Sequence, residues 1–347
     1  MEIKKLILDK TREKRGLTVS EIAMETKLSR VYIHRFFKEL VDEGKIVAVG
    51  HANRTRYVLA DNLAVKEAKK NILSFDRIFK SVGLQEDQVF SLIQKETGIF
   101  DETSENVNRI IEFAFTEMLN NAITHSKSEK IKTSIKQTGG LIRFDVVDWG
   151  IGIFENLIHY RHLRSVDEAI QDLLKGKQTT APEEHSGEGI FFTRRIADTF
   201  IIKSSNKKLF FDNNREDFTV MAIKPIFGTR ITFTISDRSA KKLSDVFKKY
   251  TNRDYEFNAT EIVVKLYQEG EGRTFVSRSQ AKRILYDLDK FQKVILDFKN
   301  ITAIGQGFAD EIFRIWKKNH PRIDIVTLNT DEEVLFMIER AKTVTGL

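Results

Sequence analysis

Two pairs of glycines, each set beside an element of clear periodicity, constrain this chain more than any other feature. The run LIRFDVV (Leu141 to Val147) has the alternation of a strand; it ends in Asp148 and passes directly into Gly150 and Gly152. Thirty-five residues beyond Gly152, the string HSGEGIFFTRRIADTF sets Gly187 and Gly189 before a helical pattern with Ile190, Phe191, Arg194 and Ile196. Glycine lets backbone N–H groups approach a phosphate, and a helix N-terminus that follows favours negative charge. GTRITFTIS (Gly228 to Ser236) adds a Gly-Thr step and an alternating strand. Upstream, NVNRIIEFAFTEMLNNAITHSKSEK reads as a long helix with Ile110, Ile111, Ala114, Phe115, Met118 and Leu119 as its core face. Glu117, Asn121 and His125 recur on it at i, i+4, i+8, so a carboxylate, an amide and an imidazole share one stripe. Such a stripe can position a metal ion and a water, although on spacing alone any exposed helical face looks the same. The chain has no G-x-x-x-x-G-K-[ST] pattern, which excludes a P-loop as the rival phosphate site.

Composition limits what can surround this site. At roughly 150 residues per domain, 347 residues suggest two or three domains. With 41% hydrophobic and 31% charged residues, packed cores are expected rather than disorder. The absence of cysteine excludes a disulfide scaffold, a thiolate zinc site and a cysteine nucleophile. No apolar run reaches 18 residues, and MEIKKLILDKTREKRG has no signal-peptide core, so a soluble, cytoplasmic protein without a membrane contact is expected. The net charge of +7 is uneven: residues 1–60 hold 13 Lys/Arg against 8 Asp/Glu, and residues 61–347 hold 44 against 42. A basic front on a near-neutral body points to a nucleic-acid contact at the N-terminus.

That front, residues 1–60, reads as three helices followed by a hairpin. A first helix ends before Gly16, and a second starts near Ser20 with Ile22 and Ala23 inward. A third is capped by Ser29 and turns Val31, Ile33, Phe36, Phe37, Leu40 and Val41 to the core. Ile46 to Val49 and Arg56 to Leu59 form a hairpin across His51–Thr55. Three helices plus a hairpin resemble a winged helix-turn-helix DNA-binding domain, which implies DNA as a partner, met by Arg30, Tyr32, His34, Arg35 and Lys38 on the third helix and by Arg54 and Arg56 on the hairpin. A solvated charged face is the plainer alternative for the same residues. Residues 61–86 read as a polar, helical connector.

In the order E-x-x-x-N-A-x-x-H, D-x-G-x-G, G-x-G and G-T, the central motifs resemble the nucleotide site of the GHKL (Bergerat-fold) superfamily, which includes histidine kinases, anti-sigma factor kinases and type II topoisomerases. The resemblance implies an α/β sandwich over residues 87–240 that binds ATP with Mg²⁺. It assigns Asn121 to Mg²⁺, Glu117 to general-base catalysis of a slow ATPase, and Asp148 to the adenine amino group. Gly150, Gly152, Gly187 and Gly189 bound a lid on the triphosphate, Thr229 lies near adenine, and His125 completes the helix stripe. In the lid, Lys175, Lys177, Thr179, Thr180 and His185 are candidates to reach phosphates; of these, Lys177 is taken as a ligand residue. Residues 61–109 contain no histidine, so a conventional histidine autokinase is not expected.

From Glu261 onward a βαβαβα rhythm predicts a small α/β layer with a mixed sheet over residues 245–347. VILDFKNITAIGQGFADEIFRIW resembles the central segment of STAS domains, and more closely a STAS-like domain of unknown function that follows a winged helix and a GHKL module. In STAS antagonists the loop after the KVILDF-type strand carries a phosphorylated serine; here Ile304 to Phe308 has no hydroxyl, and Thr302 falls at the strand end. Asp310 and Glu311 are expected on a helix surface. The whole is thus read as an α/β multidomain chain. Its expected activity is that of an ATP-dependent DNA-binding regulator, with a protein partner at the STAS-like domain and room for a homodimer. A serine/threonine kinase of the anti-sigma type, acting on a separate protein, is the alternative.

Overall fold

A computed structural model of the protein describes residues 3–343 apart from 15, 51–54, 176–188, 251–260, 268–273, 287, 290 and the side chains of 249 and 250. The described chain packs around three hydrophobic clusters. The first holds α1 (Ile3–Glu13), α2 (Val19–Thr26), α3 (Arg30–Asp42) and an antiparallel hairpin of β1 (Ile46–Val49) and β2 (Arg56–Leu59). A capping box starts α2: the Thr18 hydroxyl accepts from the Glu21 N–H, and the Glu21 carboxylate accepts from the Thr18 N–H at 2.7 Å. Ser29 caps α3 by accepting from the Tyr32 N–H at 3.2 Å. Ile7, Ile22, Ile33, Phe37, Leu40 and Tyr57 close the core. Val31 was expected inward but is 85% exposed. It precedes Arg35 by four residues and Lys38 by seven, which puts it on their face, opposite Ile33, Phe37 and Leu40.

The helical reading of 61–86 holds for α4 (Asn62–Lys69), which Asp61 caps by accepting from the Ala64 N–H at 2.8 Å. It fails for Ser74–Lys80, which form β3, paired antiparallel with β4 (Lys130–Thr138). The alternation SFDRIFK is the cause, since Phe75 and Phe79 meet the core while Asp76, Ile78 and Lys80 point outward. Next come α5 (Glu86–Glu96), α6 (Glu105–His125), β5 (Leu141–Asp148), α7 (Ile153–Arg161), α8 (Val166–Lys175), α9 (Gly189–Ile196), β6 (Thr199–Asp212), β7 (Asp217–Ser236) and α10 (Leu243–Tyr250). The sheet has five strands in the order β3-β4-β5-β7-β6, all antiparallel. Ser104 caps α6, whose inward residues Ile110, Ile111, Ala114, Phe115, Met118 and Leu119 are at most 1% exposed. Phe115 meets Phe144 of β5 edge-on at 5.5 Å, and Phe144 stacks on Phe233 of β7 at 4.9 Å. Each such fully buried side chain contributes about 1.5–3 kcal/mol. This two-layer sandwich holds the end of β5 and one face of α6 in a fixed relation.

The third cluster gathers β8 (Glu261–Lys265), β9 (Thr274–Phe275), α11 (Arg278–Leu285), β10 (Lys293–Asp297) and β11 (Ala303–Ile304). It continues with α12 (Gln306–Ala309), a π-helical turn (Asp310–Trp316), α13 (Lys317–Asn319), β12 (Asp324–Leu328) and α14 (Glu332–Thr343). Its three-stranded sheet, β12-β10-β8, is wholly parallel rather than mixed. Each link between neighbouring strands passes through a helix, which returns the chain to the same end of the sheet. Asp310 and Glu311 are buried, at 7% and 6% exposure, instead of lying on the surface. Arg314 at 3.0 Å and Arg278 at 3.7 Å neutralise Asp310, and Lys282 lies 3.9 Å from Glu311. Among the described residues, no helix is long and apolar enough to cross a membrane.

Candidate functional site

Five chain segments meet where β5 ends. Asp148 is 5% exposed there, and its Oδ1 accepts from the Gly150 N–H at 2.9 Å. Burial pushes its carboxyl above the ordinary aspartate value, and the N–H groups of Gly150 and Thr229 pull it part of the way back. Gly228 of β7 lies on this carboxylate with φ +71°, and a Cβ at that position would run into Asp148. The next residue, Thr229, is buried, and its Oγ1 accepts from the Ile153 N–H at 2.9 Å at the start of α7. Gly152, with φ +80°, is confined by Ser204, whose hydroxyl donates to the Gly228 carbonyl at 2.8 Å.

The same loop is tied to the end of α6. Gly150 sits against the Ser126 carbonyl with no room for a side chain, and the Ile151 N–H donates to that carbonyl at 2.9 Å. The Ser128 hydroxyl accepts from the Trp149 N–H at 3.1 Å. Glu117, Asn121 and His125 follow one another along α6, all half-buried. Gly189, the first residue of α9, packs on the Glu117 carboxylate; a Cβ there would lie 3.6 Å from the Asn121 amide nitrogen. His125 sits at the loop end of the stripe, where its carbonyl accepts from the Asn156 amide at 3.4 Å.

Thus Glu117, Asn121 and Gly189 form one cluster and Asp148, Gly150, Gly152 and Thr229 another, joined through Ser126. Lys177, Gly187, Thr179, Thr180 and His185 lie outside the described residues. Lys175 does not face this site: it is 5% exposed, pairs with Asp172 at 3.0 Å and donates to the Arg283 carbonyl. Ser126, Ser128 and Ser204 shape the site without belonging to any motif in the sequence. Gly228 was legible only as the start of a Gly-Thr step, not as the neighbour of Asp148.

The donor set suits a nucleotide and its metal. The Asn121 Nδ2 atom is buried and has no hydrogen-bond partner among the described residues. A buried amide left unsatisfied costs about 1–3 kcal/mol, so the position favours an incoming acceptor; with the amide turned over, it would offer Oδ1 to a cation. Among the described residues, no group of three or more His, Cys, Asp or Glu could hold a metal ion.

Of the candidate DNA contacts, Arg30, Tyr32, His34, Arg35 and Lys38 are exposed on α3, and Arg35 pairs with Glu39 at 3.1 Å. Arg56 is exposed on β2, with its side-chain carbons over Gly16. Arg54 lies outside the described residues.

Two family models match the chain. Residues 85–210 match a histidine kinase-like ATPase domain, and residues 280–335 match a STAS-like domain of unknown function (DUF4325). No curated protein matches it. The chain therefore carries a GHKL-type ATPase domain around the Asp148 site and a STAS-like domain at its C-terminus.

Proposed function

We propose that the protein is an ATP-controlled regulator in which the state of the nucleotide site is passed through α9 to the STAS-like domain and on to a DNA-binding N-terminal unit of the winged helix type. The position of α9 carries this reading. Gly189 lies on Glu117, while Phe191 and Phe192 are 2% and 1% exposed in the C-terminal core. Phe192 stacks on Phe247 of α10 at 4.2 Å, and Phe247 meets Phe113 of α6 edge-on at 5.5 Å. On the other side, Gln171 of α8 donates to the Lys265 carbonyl at 3.2 Å and accepts from the Tyr267 N–H at 2.8 Å. Both helices that bound residues 176–188 thus rest on the C-terminal domain.

In this reading Asp148 accepts from the adenine amino group, Asn121 holds Mg²⁺, and Glu117 takes a proton from the attacking water. Gly150, Gly152, Gly189 and Thr229 let the backbone close on the nucleotide, with His125 at the margin. Mg²⁺, when bound, supplies charge neutralisation for the phosphates. An Asp148→Asn variant presents an amide donor to the adenine donor. It should lose about 1.5–3 kcal/mol of Mg-ATP binding, roughly ten- to a hundredfold in Kd by calorimetry. The same variant should be at least as stable as wild type without nucleotide at neutral pH. Because the folded pKa of Asp148 is raised, its contribution to stability is present in acid and lost as pH rises through that value. Thermal melts at pH 4 and pH 7 check this, and a variant destabilised more at pH 7 than at pH 4 would contradict it.

For the N-terminal unit, the exposed cations of α3 are assigned to phosphate contacts and to base edges in the major groove. An Arg30→Ala, Lys38→Ala double variant should bind DNA more weakly and lower the log–log salt slope by about 0.9 per lost contact. Its Mg-ATP binding should not change. An unchanged affinity and slope in fluorescence polarisation would remove DNA binding from this face.

A further inference from the structure

Among the described residues, the five-stranded sheet of the ATPase domain is covered by helices on one face only. Phe75, Ile135, Phe144, Ile202 and Phe233 turn to the helices, and the residues that alternate with them form the outer face. There the pairing register sets Lys203 of β6, Arg230 of β7, Val147 of β5, Lys132 of β4 and Ile78 of β3 in one row across all five strands. Lys80 opposes Lys130 beside that row, and Lys136 opposes Arg143 toward the other end of the face. The carboxylates of the face are already taken, Asp76 by Lys132 at 2.8 Å and Asp145 by Arg143 at 3.1 Å. The side chains of Lys80, Lys130, Lys136, Lys203 and Arg230 have no ion-pair or hydrogen-bond partner among the described residues. Like charges set directly opposite, as Lys203 and Arg230 are, destabilise a sheet unless an anion lies over them. Two rings stand at the same end of the sheet. Trp149, two residues past Val147, is 48% exposed, with its N–H held by the Ser128 hydroxyl at 3.1 Å. Phe227 is 87% exposed in a bulge: Thr229 pairs with Ser204 and Ile226 with Ser205, so Phe227 and Gly228 are extra residues of β7. Such bulges re-aim side chains. Neither ring packs against another aromatic among the described residues.

We propose that this outer face binds single-stranded nucleic acid, with the unpaired cations along its phosphates and Trp149 and Phe227 stacked on its bases. Charge and rings together select this occupant. A duplex keeps its bases stacked inside and leaves both rings unused, and an acidic peptide meets the cations without needing exposed rings. The surface is separate from α3 of the N-terminal unit and does not depend on what the Asp148 site binds. Trp149 does stand between Asp148 and Gly150, so a strand on this face touches the loop that builds that site.

The test is fluorescence polarisation of the full chain with a labelled oligothymidine of about 15 nucleotides, which cannot form a duplex. A Lys203→Gln, Arg230→Gln double variant should bind it at least about tenfold more weakly at about 50 mM salt and lower the log–log salt slope by about 0.7 per lost contact. Removing opposed like charges should not lower stability, so the variant keeps its fold. Phe227→Ala should weaken binding about five- to a hundredfold with the slope unchanged, and Phe227→Tyr should retain most of it. The Arg30→Ala, Lys38→Ala variant should bind oligothymidine as wild type does. The proposal is overturned by no binding at about 0.1 mM chain, by indifference to both sheet variants, or by a loss confined to the α3 variant. Displacement of the oligothymidine by polyglutamate at equal charge would also overturn it, and would give the face to an acidic protein instead.

Discussion

Replacing Glu117 with glutamine should slow ATP hydrolysis by about 10²–10⁴-fold, the range expected for loss of a general base. The Kd for Mg-ATP should change by less than about tenfold, because glutamine keeps the side-chain shape against Gly189 and removes only the proton acceptor. Free phosphate released from γ-labelled ATP is the readout, and calorimetry supplies the affinity. Equal hydrolysis by wild type and variant would show that Glu117 is not the base. Label appearing on a protein instead of in free phosphate would favour phosphotransfer over hydrolysis at the same residue. Gly189 makes the site sensitive in a second way, since any side chain there would collide with the Glu117 carboxylate.

The Phe192→Ala variant should cost about 3–5 kcal/mol of stability, as expected for truncating a large aromatic in a packed core. The ring is 1% exposed and stacked on Phe247, so little collapse can fill the space it leaves. Chemical denaturation measures the cost. A loss below about 1 kcal/mol would mean that α9 is not anchored in the C-terminal core. Phe192→Leu should recover much of the loss, which separates packing volume from any special role of the ring. If α9 is the link, a folded Phe192→Leu chain should still bind Mg-ATP, because Gly189 is the α9 residue that packs on Glu117 and lies beside Asn121.

Much of the candidate site was legible as a set of positions because its residues sit at fixed spacings within strongly periodic elements. Glu117 and Asn121 lie one turn apart on a helix whose apolar face is unambiguous, and Asp148 closes a clean alternating strand. What was not legible depends on partners distant in sequence. Ser74–Lys80 carries the alternation of a strand, but it is the pairing with β4, distant in sequence, that decides it against the helix read for the connector. Asp310 and Glu311 looked like surface residues because the cations that allow their burial include Arg278 and Lys282 on a different helix. Val31 was misplaced for a simpler reason: a β-branched residue beside Ile33 passes for core until the helix phase is fixed by Phe37 and Leu40. The double attachment of α9 was invisible too, since its aromatic residues fit one amphipathic helix equally well whichever core receives them.

The central claim is that Mg-ATP at the Asp148–Asn121 site is felt in the STAS-like domain through α9. Hydrogen–deuterium exchange of the full chain, with and without saturating Mg-ATP, measures this most directly. The account predicts slower exchange in α9 and, together with it, changed exchange in α11 and around Phe247. Protection confined to α6 and the loop after β5, with α9, α11 and α10 unchanged, would contradict it.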